Sequence, residues 1–394
     1  MSAPARALPL RHFAHLDPAD EARLFLHPPQ PVDPAGDAEV LALSLGATLY
    51  LPADRPTLAG DVRRQRAAGV TSVVLCLEDA IADADVETAQ ANLVHHVRDL
   101  AAYSGLPLVF VRVRRAEQVG ELVDALGEAA AVLTGFVLPK FSGATGPAFL
   151  DAVGAASAQL GRSLRVMPVV ESPEMAHAET RVDALVQVRD LLADHRDEVL
   201  AVRIGATDLS AAFGLRRRRE LTVYDVRVVA DAIADVVNVL GRADGTGHVV
   251  TGPVWEYFNS PDRVFKPQLR ETPFREHEER PLRANLLARD LDGLIREVVL
   301  DQANGLNGKT VIHPTHVAAV HALSVVPHEE HADALDVLGT GAGGGVAASS
   351  YRNKMNESKP HRAWAHRLVQ RAHVFGVARP TTSFVDLLGA GMHR

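Results

Sequence analysis

The sequence predicts an α/β chain folded as a closed (β/α)8 barrel of eight parallel strands, and three observations carry that expectation. From residue 47 onward, short β-branched runs alternate with alanine-rich, charge-spotted stretches of helical length, the pattern of strands joined by crossover helices. The runs number eight, which suits a closed ring. Several of them, such as VVLCLE and RVMPVV, are apolar without alternation, as strands covered on both faces are. A doubly wound open sheet is the competing architecture. It would normally place a glycine-rich phosphate loop after the first strand, where this chain has Pro52-Ala53-Asp54-Arg55-Pro56.

The expected strands are residues 47–53, 72–78, 108–113, 135–140, 165–170, 200–205, 248–252 and 309–313. Helices are expected at 58–68, 85–102, 118–132, 148–160, 174–194, 223–240 and 281–302, where apolar residues recur at spacings of three and four. Ahead of the barrel, the first forty residues hold seven prolines among histidines and acids, a composition that resists regular structure, so residues 1–40 are expected to form an irregular N-terminal arm. Residues 41–325 then make up the barrel domain. Residues 326–394 form a helical C-terminal extension, entered through the glycines of 339–345 and carrying the basic stretch YRNKMNESKPHRAWAHRLVQRA.

Appendages are reasonable on length alone, because 394 residues exceed what one hydrophobic core usually supports. Acidic residues outnumber basic ones by 49 to 41, a net charge of −8, which argues against a non-specific nucleic-acid binder. The single cysteine, Cys76, excludes an internal disulfide and every multi-cysteine metal module; inside an apolar run, it reads as core filling. No apolar run approaches the roughly 18 residues that cross a bilayer, and the first twenty residues do not read as a secretory signal. The expectation is a cytoplasmic protein with small-molecule partners, and neither nucleic acid nor membrane.

In an eight-stranded α/β barrel, chemistry occurs where the C-terminal ends of the strands meet the following loops. Here those ends are polar almost without exception: Asp54-Arg55, Glu78-Asp79, Arg112 with Arg114, Lys140, Glu171, Asp208, Trp255-Glu256 and His313. Four carboxylates facing Arg112 and Lys140 suggest a divalent-metal site with an anionic ligand. Oxygen donors without cysteine or paired histidines favour magnesium, with manganese possible, over zinc. Glu171 and Asp208 are the best pair for direct ligation, since each follows an apolar strand and they belong to neighbouring units. Two protein carboxylates leave positions for water and for a chelating 2-oxo acid, whose enolate charge the metal would stabilise.

Seven segments in order, LYLPADRP at 49–56, VVLCLEDAI at 73–81, VFVRVR at 109–114, GFVLPK at 135–140, VVES at 169–172, RIGATDLSAAFG at 203–214 and GKTVIHPTHV at 308–317, resemble the citrate lyase β-subunit-like (HpcH/HpaI aldolase) family of magnesium-dependent, TIM-barrel carbon–carbon lyases. The resemblance implies metal ligands at Glu171 and Asp208 and an arginine for the 2-oxo acid carboxylate or oxyanion at Arg112. It places the family's acidic pair at Glu78 and Asp79, which with Arg112 make up the expected catalytic group. Substrate binding is expected from Arg112, Lys140, Arg55 and His313, although His313 could equally cap its turn. Relatives oligomerise, so a homo-oligomer is implied. The segment NKMNESKPHRAWAHRLVQRAHVFGV resembles a branch associated with tellurite-resistance gene clusters.

The chain departs from the family at Arg114, at Thr207, in the run Arg216–Arg219 and in the insertion at residues 258–281. These departures leave open whether the substrate is a free acid or an acyl thioester. Arg216–Arg219, or Arg263, Lys266 and Arg270, could hold a substrate phosphate or simply be solvated loop charge. Asn353, Lys354, Asn356 and His361 could close over the mouth of their own or a neighbouring subunit. The expected activity is aldol- or Claisen-type cleavage or condensation through a metal-stabilised enolate. The alternative is a catalytically weak metal-binding barrel serving as an assembly component of a stress-response biosynthetic complex.

Overall fold

The computed structural model describes residues 8–258, 291–339 and 345–392. Eight parallel strands follow one another around a ring: β1 (Ala47–Pro52), β2 (Ser72–Cys76), β3 (Leu108–Arg112), β4 (Leu133–Leu138), β5 (Arg165–Val170), β6 (Val202–Ile204), β7 (Val250–Thr251) and β8 (Lys309–Val311). From β1 to β7 each strand pairs with the next, and β8 pairs with β1. A bridge between Gly252 and Lys309 brings β7 against β8 and all but closes the barrel. Every residue of β2 and β3 is buried, which is why these strands read as continuous apolar runs: barrel interior lies on one side and helices on the other.

The crossover helices are Leu58–Ala67, Val86–Leu100, Glu117–Leu126, Gly146–Leu160, Ala178–Asp194, Arg227–Leu240 and Leu291–Ala303. The helix expected at 174–194 is two helices, because His177 is extended and separates Pro173–Ala176 from Ala178–Asp194. The first part of the helix expected at 281–302 lies outside the described residues. No helix among the described residues is long and apolar enough to cross a membrane.

The last seam of the barrel is held by buried charge. Lys309, at the start of β8, is fully buried and its ammonium lies 2.6 Å from Asp301 and 3.0 Å from Glu297. Arg217 pairs with the same Glu297, and the Tyr224 hydroxyl donates to Asp301 at 2.8 Å. Gly252 is required here for space, since a Cβ would lie 2.6 Å from the Asp301 carboxylate. The Gly308-Lys309-Thr310 stretch is thus part of the barrel wall.

Both appendages gather where the strands begin, opposite the polar rim. In the arm, Asp17 caps a helix at Pro18–Leu24, whose proline sits in the first turn where no amide donor is needed. The three residues that follow, Phe25–His27, pair antiparallel with Val377–Ala378 of the extension. Between residues 8 and 37 the rest of the arm is turns and extended chain, with Leu10 bridged to Val32. In the extension, His328–Gly339 packs on Ser358–Phe375 around Val326, Ala334, Val337, Ala365, Leu368 and Ala372. Helix Ser358–Phe375 also packs on Ala38–Leu43, which leads into β1, and Arg367 donates to the carbonyls of Gly241 and Arg242 ahead of β7.

The polar residues expected to reach the mouth are used inside the extension. Lys354 pairs with Glu329 at 2.8 Å and Asp333 at 2.7 Å, Asn353 donates to Glu329, Asn356 donates to Asp333, and His361 accepts from the Glu357 amide. A lid over the chain's own mouth is therefore not what this segment forms.

His12 ties the arm to the barrel. It is buried against His321 and Phe375, and its Nε2 meets the Ser44 carbonyl at 2.9 Å. Burial, with minor contributions from nearby cations, lowers its pKa from 6.5 to about 3. The neutral ring contributes its full stability above the unfolded value of 6.5 and loses it as the pH falls from there toward 3. At pH 5 this amounts to about 2 kcal/mol. His12→Phe is expected to be less sensitive to acid than the wild type by about that much, as read from urea unfolding at pH 7 and pH 5; equal acid sensitivity would refute the assignment.

Candidate active site

Because the strands are parallel and in order, their charged C-terminal residues converge on one rim. Arg112 ends β3, Lys140 lies two residues beyond β4, Glu171 follows β5 directly, and Glu78-Asp79 follow β2. Asp208 sits in the first turn of the short helix Ala206–Ala211 after β6. The structure brings all six together.

Arg112 is the hub. Its Nη2 lies 2.7 Å from Glu171 Oε1 and 2.9 Å from Glu78 Oε2, and its Nη1 lies 3.2 Å from Asp79 Oδ2. Its Nε has no hydrogen-bond partner among the described residues. The Lys140 ammonium pairs with Glu78 and lies 3.6 Å from Asp79. Lys140 also has a left-handed backbone, φ +48°, which a side chain rarely adopts, and its amide donates to Glu171 Oε1 at 2.9 Å. Gly205 stands against the other side of that carboxylate: a Cβ there would lie 2.2 Å from Glu171 Oε2.

The charges do not balance within the group. Four carboxylates face two cations, a formal excess of two negative charges. Burial raises the Glu171 carboxyl to about 7, with Arg112 opposing the rise and Asp208 adding to it. Burial and the Asp79 charge likewise raise Asp208, while burial and Asp79 raise Glu78. For Arg112, burial disfavours the cation, but Glu171, Tyr50 and Glu78 outweigh it and hold the guanidinium charged. Only one trio of potential ligands among the described residues, His95, His96 and Asp99 on an outer helix, has atoms all within 4.8 Å of one another. No three of the rim carboxylates among the described residues are so tightly drawn.

Arg114, one of the departures noted in the sequence, fastens the loop that carries the acidic pair. Its Nε donates to the Leu77 carbonyl at 2.7 Å and its Nη2 to the Glu78 carbonyl at 3.1 Å, with further bonds to Ile81 and Asp83. Thr207, the other, donates to Glu256 at 2.9 Å.

Two expected substrate ligands make contacts outside this group of six. Arg55 donates through Nε to Asp61 at 2.6 Å, a carboxylate it shares with Arg64 in the following helix. His313 Nδ1 meets the Thr315 hydroxyl at 2.8 Å, and its ring stacks on Phe258 at 5.0 Å. In the arginine run, Arg217 is buried between Glu297, the Val254 carbonyl at 3.0 Å and the Trp255 ring at 4.8 Å, while Arg216 and Arg218 are exposed. Arg263, Lys266 and Arg270 lie outside the described residues.

Two interior residues were not singled out from the sequence. Arg203, the central residue of β6, is fully buried in the barrel, where it donates to the Thr310 hydroxyl and approaches Met167 Sδ at 3.7 Å. Its Nε has no partner, and no carboxylate lies within ion-pair distance among the described residues. Its guanidinium carbon lies 5.4 Å from the ring centre of Tyr50 on β1. Tyr50 is only partly buried and interacts electrostatically with Arg112 and Glu171. The signal was present in a tyrosine within LYLP and an arginine within VRIG, polar residues in otherwise apolar strands.

Comparison with known proteins places this geometry. Residues 39–377 match the family described as C–C bond lyase of the TIM-barrel fold. Among solved structures, a citrate lyase from Burkholderia xenovorans LB400 is similar with a TM-score of 0.61 at 16% identity, over 87% of this chain and 96% of that one. The protein CitE from Mycobacterium tuberculosis, solved in complex with magnesium, acetoacetate and coenzyme A, is similar with a TM-score of 0.50 at 22% identity, over 83% of this chain and 97% of that one. A search of curated proteins found no match.

Proposed function

Because the chain belongs to the carbon–carbon bond lyase family of the TIM-barrel fold, we propose that it is a magnesium-dependent lyase that cleaves or joins a 2-oxo acid or related carboxylate through its enolate. The observation that carries this reading is the uncompensated charge at the rim. Four carboxylates around two cations, with Glu171 raised to about 7 and Asp208 raised by burial, form a site where a further cation would favour the charged carboxylates. Hard oxygen donors suit magnesium, with manganese as the alternative. Glu171 and Asp208 would hold the metal. When bound, it supplies positive charge where enolate charge develops.

The chain's own residues do the rest. Arg112, held on three sides by Glu78, Asp79 and Glu171, is pre-oriented and keeps an unpartnered Nε. It binds the substrate carboxylate or the developing oxyanion, and its fixed geometry lowers the barrier because nothing must reorganise as charge forms. Lys140, through its strained amide, orients Glu171, while its ammonium holds Glu78 and Asp79. Asp79 orients Arg112 from the solvent side. In cleavage, the substrate hydroxyl loses its proton to solvent as its carbon becomes a carbonyl, and the electron pair of the broken carbon–carbon bond becomes the enolate. A 2-oxo acid or acyl thioester as partner, a cytoplasmic setting and a homo-oligomer belong to the same reading.

The test is release of pyruvate, oxaloacetate or acetyl groups from a panel of hydroxy acids, 2-oxo acids and thioesters. Cleavage is expected to stop with a chelator and return with magnesium. A protein that turns over none of the panel and binds no 2-oxo acid with magnesium would refute the lyase reading in favour of an assembly role.

A further inference from the structure

A lyase of this kind needs a group that hands a proton to the enolate carbon, and the residues at the rim are committed to other work. Glu78 and Asp79 are bound to Arg112 and Lys140, and the Lys140 ammonium to both. His313 meets the Thr315 hydroxyl. Inside the barrel beneath the group is the phenol of Tyr50. It lies on β1, two residues before the strand end, close enough to Arg112 and Glu171 to feel their charges, and only partly buried.

We propose that Tyr50 is the proton donor to the enolate carbon and that Arg203 is a positioning residue that fixes its phenol on the floor of the site. The inference rests on the lyase reading above. Arg203 is an expensive residue to keep where it is, since a buried guanidinium without a carboxylate is strongly disfavoured. Its contacts among the described residues are the Thr310 hydroxyl, the Met167 sulfur and Tyr50. None of the first two needs a cation, whereas a phenol that passes through its anion does. Burial by itself makes Tyr50 reluctant to ionise, and Arg203, the larger of two opposing charges, counters that.

The step balances simply. The phenol O–H bond breaks as a C–H bond forms at the enolate carbon, leaving a phenolate opposite the Arg203 guanidinium. Water then returns a proton to the phenolate. In reverse, the phenolate takes a proton from the methyl group of a bound 2-oxo acid, so the pair catalyses hydrogen exchange without any second substrate.

That exchange gives the test. Wild-type protein with magnesium and pyruvate in deuterated water is expected to replace the pyruvate methyl protons, followed by proton NMR, and to bind pyruvate in calorimetry. Tyr50→Phe should slow exchange by about 100-fold or more, the usual range for losing a proton-transfer group, while pyruvate affinity changes by less than about threefold. Arg203→Gln should slow exchange with affinity retained, and Arg203→Lys, which keeps the charge, should recover part of it. Exchange by Tyr50→Phe at the wild-type rate would overturn the proposal, as would a parallel loss of affinity and exchange, which would make Tyr50 a binding residue. If Arg203→Gln exchanges like the wild type, the positioning role is overturned. Wild-type protein that neither binds nor exchanges pyruvate instead overturns the lyase reading beneath the inference.

Discussion

Glu171→Ala and Asp208→Ala are each expected to abolish magnesium-dependent binding of a 2-oxo acid while leaving the fold intact. The two carboxylates sit at adjacent strand ends, after β5 and β6; burial raises both acids, and the Asp208 charge adds to the rise at Glu171. Removing either takes away half of the protein's ligands and most of the reason for the metal to enter. Asp208→Ala should also be stable, since Asp208 is half-buried on a short surface helix. Glu171→Ala leaves Arg112 with Glu78 and Asp79, so it too should fold, with circular dichroism as the control. A proton competes with the metal for Glu171. With its carboxyl at about 7, magnesium affinity should be full above that pH and should fall by up to about tenfold per unit below it. Calorimetry at pH 8 and pH 6 reads this directly. Metal affinity that survives both substitutions would show that the cation sits elsewhere.

The rim was legible in the sequence for a physical reason. A parallel barrel collects all its strand ends at one end, so apolar runs that terminate in Glu78, Arg112, Lys140, Glu171 and Asp208 converge once the strands are recognised. Strands such as β2 and β3 were recognisable because their both-sided burial leaves unbroken apolar runs. What the sequence did not show are contacts decided by tertiary packing. Arg55 looks like a mouth residue until the next helix offers Asp61. Arg217 looks like solvated charge until Glu297 is found buried beneath it. The tail's Asn353, Lys354 and Asn356 are spaced like a lid but close on Glu329 and Asp333. Tyr50 and Arg203 meet across the barrel from distant strands, and a one-dimensional reading that looks for function at strand ends passes over residues in strand centres.

Lys309→Met is expected to lower the unfolding free energy more than any other single change considered, by about 3–5 kcal/mol, because it strands buried carboxylates rather than merely removing a contact. Lys309 is fully buried 2.6 Å from Asp301 and 3.0 Å from Glu297, neither of which has appreciable exposure. It also begins the strand that meets Gly252, so the penalty falls on the weakest seam, where β7 is only two residues long. Burial already raises the Asp301 carboxyl to about 6 with the ammonium present. Without it that value rises further above the unfolded one, and the folded state binds more protons than the unfolded. The variant's deficit should therefore shrink as the pH falls, which a simple packing defect would not do. Adding Asp301→Asn to Lys309→Met should recover part of the loss, since a neutral amide needs no ammonium, and a cycle of urea unfolding curves on the two single variants and the double variant measures that coupling. Strictly additive losses, or a deficit independent of pH, would mean that the seam is held by apolar packing and not by this buried ion network.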